Sequence, residues 1–451
     1  MAVAIGILVL VVITLLFHFL SPWWFTPIAS DWSTVDTTVN ITFLVTGIVF
    51  VVLNGFLIWV VIRYRHQKGL KAHYEPESHK LEWWLTAITT IGVIAMLAPG
   101  LWVWDRIIKV PDGAEVVEVV GQQWHWSFRF PGADGVLGQV EIGQMNADNP
   151  HGLKPDDPAG RDDILINDGE LHLPVGKTYK FVVRSKDVLH NFTVPEFRVK
   201  MDLVPGMTPY IWATLTQTGR FDIMCEELCG IGHWAMRGSV VVEEPSAFDA
   251  WLESKPTFAQ VLAKSAPDPA AGQAQFAVCT ACHGAQGEGN QMLNAPRLAG
   301  QSDWYLKRQL KNFKHGLRGA NSADAYGAQM MPMAATLADD AAIDNVVAYI
   351  GSLQPTEAAA TISGNFQRGQ EIFVTCKHCH GPSGQGIWSM NAPRLSGTND
   401  WYLERQLQNY KQGIRGAHPS DLYGKQMNLM TGMLRNDQAI KDVVAYINSL
   451  E

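Results

Sequence analysis

Three stretches near the N-terminus are almost free of charge: AVAIGILVLVVITLLFHFL (2–20), ITFLVTGIVFVVLNGFLIWVVI (41–62) and WWLTAITTIGVIAMLAPGLWVW (83–104). An uncharged run of roughly 18 or more residues is long enough to cross a bilayer as a helix, so two spans are expected at about 41–62 and 83–104. The run 2–20 is positioned like a signal peptide, but it lacks a basic leader and an A-x-A-like cleavage site. A third span is therefore expected there, with an uncleaved signal as the alternative. The loop RYRHQKGLKAHYEPESHK (63–80) carries five Lys/Arg, and the loop 21–40 carries none. Basic loops stay in the cytoplasm. Everything after Trp104 is then expected on the outer face of a bacterial plasma membrane, with the chain multi-pass and in contact with membrane lipid.

The rest of the 451 residues is too long for one ordinary domain. The expected division is a transmembrane region (1–109), a β-domain (110–245) and two further units (266–354 and 364–451). Residues 110–245 hold Val- and aromatic-rich runs such as EVVEVVGQQWHWSFRF and KTYKFVVRS, bounded by Gly, Pro and Asp, which read as strands of a β-sandwich. The C-terminal part repeats at an offset of 97 residues. CTACHG at 279 returns as CKHCHG at 376, NAPRL at 294 returns at 391, and DWYLKRQL at 303 returns as DWYLERQL at 400. Two copies of so long a unit are a tandem duplication rather than a solenoid. AKSAPDPAAG (263–272) and LQPTEAAATISG (353–364) read as linkers. The net charge of −8 is uneven: residues 111–250 carry 21 Asp/Glu against 11 Lys/Arg, an acidic region able to steer a basic partner. No nucleic acid is expected as a partner.

The six cysteines decide the chemistry. C-x-x-C-H is the attachment motif for a c-type haem, and it occurs at the same place in both copies. Cys279, Cys282 and His283 are expected to hold one covalent haem, and Cys376, Cys379 and His380 the other. An axial Met should align with itself in the repeat, which leaves Met330 with Met427, or Met333 with Met430. The units resemble class I cytochromes c. In the two-haem members the pattern M-x-P-x-A-x-x-L favours Met330 and Met427, and the resemblance gives Pro296 and Pro393 the carbonyls that orient the proximal histidines.

The remaining cysteines lie in CEELCGIGHWAM (225–236). Zinc accepts Cys and His, but Met suits it poorly. Thiolate, imidazole and thioether together suit copper, and His190, upstream in SKDVLHNFTVPEFRVKMD, is a further candidate. The pattern C-x-E-x-C-G-x-x-H-x-x-M, with His190, resembles the dinuclear copper A centre of cytochrome c oxidase subunit II. That resemblance covers residues 40–245. It implies a helical hairpin followed by a cupredoxin-like domain, with Cys225 and Cys229 bridging two coppers. His190, His233, Met236 and the Glu227 carbonyl would complete the set, and the Glu227 carboxylate would serve a magnesium shared with subunit I. It further implies that electrons come in at Trp124 and that Glu82 lies at the mouth of a proton pathway. His125 replaces the family's usual Tyr, and Met207 its usual Arg.

The fold expected is therefore multidomain: transmembrane helices, a cupredoxin-like sandwich and two all-α cytochrome c units. The function expected is that of the electron-accepting subunit of a respiratory haem-copper oxidase. Electrons would pass from a cytochrome c or a quinol-oxidising complex through the haems to copper A, then to subunit I, where oxygen is reduced and protons are translocated. No catalytic residue for oxygen is expected in this chain, and other membrane subunits are expected beside it. The alternatives are the copper A subunit of a nitric oxide reductase and a stand-alone membrane-anchored shuttle.

Overall fold

A computed structural model of the chain describes residues 1–21, 26–69, 71, 74, 76–146, 149–167, 169–264, 266–356 and 358–450. Parts of the two loops that set the orientation, and one residue in each expected linker, lie outside these ranges.

Three helices, α1 (Ala2–Leu20), α2 (Ser33–Arg63) and α3 (His79–Ile108), are long and apolar enough to cross a membrane. Their side chains are almost all exposed within the chain, the pattern of a surface made for lipid. The second and third helices begin before their apolar runs and extend past them. Hydropathy marks where lipid ends, not where backbone hydrogen bonding ends. Thr38, Thr42 and Thr46 on α2 return their hydroxyls to carbonyls four residues back at 2.7–2.9 Å, so these polar groups are satisfied within the helix.

The anchor is fastened to a β-sandwich. Its strands are β1 (Glu115–Gln122), β2 (His125–Phe130), β3 (Ile164–Ile166), β4 (Glu170–Pro174), β5 (Thr178–Ser185), β6 (His190–Val194), β7 (Val199–Leu203), β8 (Tyr210–Thr214), β9 (Gly219–Met224) and β10 (Arg237–Glu243). They form two five-stranded sheets, ordered β3-β2-β1-β5-β8 and β4-β10-β9-β6-β7. Trp126, Phe128, Phe181, Phe192, Phe197 and Ile223 fill the space between them. Trp32 Nε1 donates to the Trp212 carbonyl at 2.7 Å, Trp212 Nε1 donates to the Arg106 carbonyl at 3.1 Å, and Arg198 pairs with Asp36 at 2.7 Å. These bonds fix the sandwich to the outer ends of α2 and α3.

β2 is buried on both faces, so the alternation expected of a half-exposed strand is absent there. One face packs in the core. On the other, Arg129 donates to Glu118 at 2.7 Å and to Asp163 at 2.6 Å, a fully covered ion network.

Eleven further helices follow among the described residues. α4 (Pro245–Glu253) and α5 (Phe258–Leu262) close the sandwich. α6 (Pro269–Phe276), α7 (Thr280–His283), α8 (Asp303–Lys314), α9 (Ala325–Ala335) and α10 (Asp340–Ser352) build the first unit. α11 (Phe366–His380), α12 (Asp400–Lys411), α13 (Leu422–Thr431) and α14 (Asp437–Ile447) build the second. α6 starts inside the stretch expected as a linker. Asp268 caps it by accepting from the Ala270 amide, and Pro269 occupies its first turn. In each unit the last helix packs on the first: Ile343, Val346 and Val347 against Phe276, then Ile440, Val443 and Val444 against Phe373.

Candidate copper and haem sites

The loop from β9 to β10 carries Cys225 through Met236, and His190 opens the adjacent strand β6. This brings all six expected copper donors together. The two sulfurs are 3.7 Å apart, far beyond the about 2.05 Å of a disulfide, and both cysteines are free and buried. His190 Nδ1 lies 3.9 Å from the Cys225 sulfur, and His233 Nδ1 lies 3.5 Å from the Cys229 sulfur. The Met236 sulfur is 3.9 Å from Cys229, and the Glu227 carbonyl is 3.3 Å from Cys225. The hydrogen bond from Cys229, with His190 assisting, holds the Cys225 thiol well below the usual thiol range. The same bond, with burial, pushes Cys229 up.

Two residues that sequence reasoning missed orient this set. Asp187 accepts from His190 Nε2 at 2.8 Å and from the Gln123 amide at 2.7 Å, which turns Nδ1 towards the sulfurs. Gln123 donates its side chain to the Cys229 carbonyl at 2.7 Å. The motif S-K-D-x-x-H was the signal available for Asp187, since a carboxylate three residues before a candidate ligand reaches its far nitrogen. Trp124 is buried beside the loop and donates Nε1 to the Cys229 carbonyl at 3.1 Å. A Cβ on Gly232 would come within 2.4 Å of its ring, so glycine is what lets the loop and the indole touch. His125 is buried, and burial pushes its pKa down to about 3, so it is neutral. Met207 is exposed, and so is Glu82, at the far end of α3 beside His79 at 3.6 Å. The 30 residues of α3 place Glu82 about 40 Å from the sandwich.

In each C-terminal unit the C-x-x-C-H spacing sets both sulfurs and the histidine on successive turns of one helix end, and a glycine with positive φ, Gly284 or Gly381, then breaks the helix. His283 Nδ1 donates to the Pro296 carbonyl and His380 Nδ1 to the Pro393 carbonyl, each at 2.7 Å. Burial lowers both imidazole pKa values against the opposing pull of those carbonyls. The far ring nitrogen is thus unprotonated and available to a metal. Each histidine faces a cleft. One of about 810 Å³ is lined by His283 and Met330, and one of about 750 Å³ by His380 and Met427.

Between the clefts lies a reciprocal network. Arg318 donates to Gln309 at 2.8 Å and to Tyr402 at 2.8 Å, while Arg415 donates to Gln406 at 2.8 Å and to Tyr305 at 3.0 Å. Both guanidiniums are buried, and neither has a carboxylate partner among the described residues. Arg318 Nε has no hydrogen-bond partner at all. A second exchange crosses the same boundary: Arg308 of the first unit reaches Asn391 at 2.8 Å, and Arg405 of the second reaches Asn294.

A membrane-anchored cupredoxin-like domain with a two-sulfur metal loop, continued by a pair of cytochrome-like units, defines an electron-transfer protein of a respiratory membrane. The comparisons agree. The family "Cytochrome C oxidase subunit II, periplasmic domain" matches residues 115–244, and "Cytochrome c" matches 269–354 and 366–451. The alternative cytochrome c oxidase subunit 2 of Bradyrhizobium diazoefficiens is 52% identical over 266 residues, covering 59% of this chain and 96% of that protein. Cytochrome c4 of Azotobacter vinelandii is 34% identical over 164 residues, covering 34% of this chain and 77% of that protein. Among solved structures, reduced cytochrome c4 from Pseudomonas stutzeri is 28% identical, covers 41% of this chain and 100% of that chain, and has a TM-score of 0.35. The chain belongs to the cytochrome c oxidase subunit II family and carries two cytochrome c domains. The subunit II domain implies copper A, and the cytochrome domains imply haem c.

Proposed function

We propose that this chain is the electron-accepting subunit of a haem-copper oxidase, in which two covalent haems feed a dinuclear copper A centre that passes electrons to subunit I for the reduction of oxygen. The convergence of two imidazoles, a thioether and a carbonyl on one sulfur pair carries the reading. Cys225, Cys229, His190, His233, Met236 and the Glu227 carbonyl would hold the copper centre, which would supply one-electron transfer there. The chain's contribution is rigidity. His190 is held on β6, His233, Met236 and the Glu227 carbonyl are held on the loop closed by β9 and β10, and Asp187 fixes the His190 ring.

Cys279, Cys282 and His283 hold one haem, and Cys376, Cys379 and His380 the other. Met330 and Met427 are the sixth ligands. They line the clefts that contain His283 and His380, while Met333, the counterpart of Met430, is exposed. Arg318 and Arg415 fit the haem carboxylates, because a buried guanidinium bonded only to neutral oxygens needs an anion. Leu228, Ile231 and Trp234, exposed around the copper loop, and the Glu227 carboxylate with its magnesium face subunit I. Glu82 lies at the cytoplasmic mouth of a proton pathway.

Metal and haem analysis of the purified chain tests the core of this reading. A dinuclear copper signal with two covalent haems is expected. A Cys225–Cys229 disulfide or a single zinc at the loop overturns it. Oxygen consumption by the purified complex, without nitric oxide reduction, is expected from the assembly.

A further inference from the structure

The two cytochrome units share a sequence pattern, yet only one is seated on the copper domain. In the second unit Gln426 Nε2 donates to the Trp124 carbonyl, and the Tyr423 hydroxyl donates to the Asn167 carbonyl at 2.8 Å. Ser389 accepts from Gln122, and the Asn391 amide lies 3.2 Å from His125 Nδ1. Leu422 sits so close to Gly169 that a Cβ there would come within 2.3 Å of its methyl. Cys379 packs against the core of the sandwich.

The matching positions of the first unit do not reach the copper domain: Asn294, the partner of Asn391, accepts from Arg405 of the second unit, and the same guanidinium lies over the Tyr326 ring. Cys282, the partner of Cys379, is exposed, and so are Gln329, Tyr326 and Met292, the partners of Gln426, Tyr423 and Ser389. Among the described residues no hydrogen bond joins the first unit to the copper domain. The two haem clefts share Gln301, Tyr305, Gln309, Thr398, Tyr402 and Gln406 as walls, so they adjoin, and it is the unit of the second cleft that bonds to Trp124 beside the copper loop.

We infer that the second unit is the immediate donor to copper A and the first unit is the outer acceptor, so that electrons travel from first haem to second haem to copper. This rests on the copper and haem assignment proposed above. The chain supplies a continuous route: Met427, its peptide link to Gln426, the hydrogen bond to Trp124, and the Trp124 bond to the Cys229 carbonyl. Each hop moves one electron, oxidises one centre, reduces the next and makes no bond. The tethered second unit occupies the position over Trp124, and the first unit keeps its haem edge open to an external protein donor.

Pulsed paramagnetic resonance on the full, metal-loaded chain tests the order through distances rather than activity. Met330→His and Met427→His each alter one haem signal and so label it. The haem altered by Met427→His should couple more strongly to copper and lie nearer to it. Finding the haem altered by Met330→His nearer overturns the order. In a second arm, Leu422→Lys should lengthen the distance from copper to the second haem and leave the haem-to-haem distance unchanged. An unchanged copper distance overturns the docking contact as its basis. Loss of any dinuclear copper signal in the unmodified chain would remove the functional reading and the order with it.

Discussion

The two cytochrome domains are alike inside and unlike outside. Their interiors share the same devices: the same proximal histidine on a proline carbonyl, the same arginine into the same pair of Gln and Tyr oxygens. Their outer faces have diverged. The second is hydrogen-bonded to the copper domain, whereas the first only flanks it, with Trp304 and Arg308 lining a cavity beside His125. Duplication supplied two equal carriers, and the surroundings of each made them unequal. The same motif therefore does not imply the same place in a chain of carriers.

The strongest way to break this comparison is to remove the acceptor. Cys225→Ser should abolish the dinuclear copper signal and drop copper content to background, with covalent haem retained in both domains. Loss of haem as well would mean that the domains do not mature separately. Next, Met330→His and Met427→His should each lower the reduction potential of one haem by on the order of 0.2 V, read by redox titration, because axial ligands set the potential across a wide range. A shift caused instead by Met333→Leu or Met430→Leu would reassign the ligands.

A smaller effect probes the shared interior. Arg318→Ala and Arg415→Ala should each cost about 2–3 kcal/mol in denaturant unfolding followed by haem absorbance, and by similar amounts, since each removes hydrogen bonds to one Tyr hydroxyl and to both Gln309 and Gln406. Unequal costs would show that the divergence reaches the core.

The smallest effect concerns pH. Asp442 is buried in the second domain, where it accepts from Arg368 at 2.6 Å and the Asn365 amide at 2.8 Å; the first domain has Asn345 there. Burial works against the Asp442 carboxylate, but the Asn365, Gln438 and Arg368 hydrogen bonds outweigh it and hold its pKa below the ordinary 3.8. The stabilisation is thus complete above pH 3.8 and lost as pH falls through the lower native value. Asp442→Asn should cost about 1–2 kcal/mol near neutral pH and flatten the acid dependence of the second domain's unfolding, leaving the first unchanged.

Much of this was legible in the sequence because covalent spacing is short-range. A C-x-x-C-H run or two cysteines four apart must lie on one turn or one loop whatever the fold does. The helix over Ala2–Leu20 has the bounds of its apolar run, and the helices that start at Ser33 and His79 run past theirs, because apolar composition does not report helix length. Asp187 was within reach of a reading that looked for an anchor to each histidine. Gln426 was not, since its importance arises from a contact 302 residues away that no local pattern encodes. The burial of β2 on both faces was hidden for a similar reason: Arg129 is covered through Glu118 and Asp163, and His125 by Asn391 and Tyr423 of the second unit, none of them neighbours in sequence.

The crossed arginines have a mechanical consequence. Arg308 completes a wall on the far side of the boundary, and Arg405 does the same in return. Each half is thus clasped by a side chain that the other supplies, so the pair should tilt and shift as one piece rather than as two beads on a string.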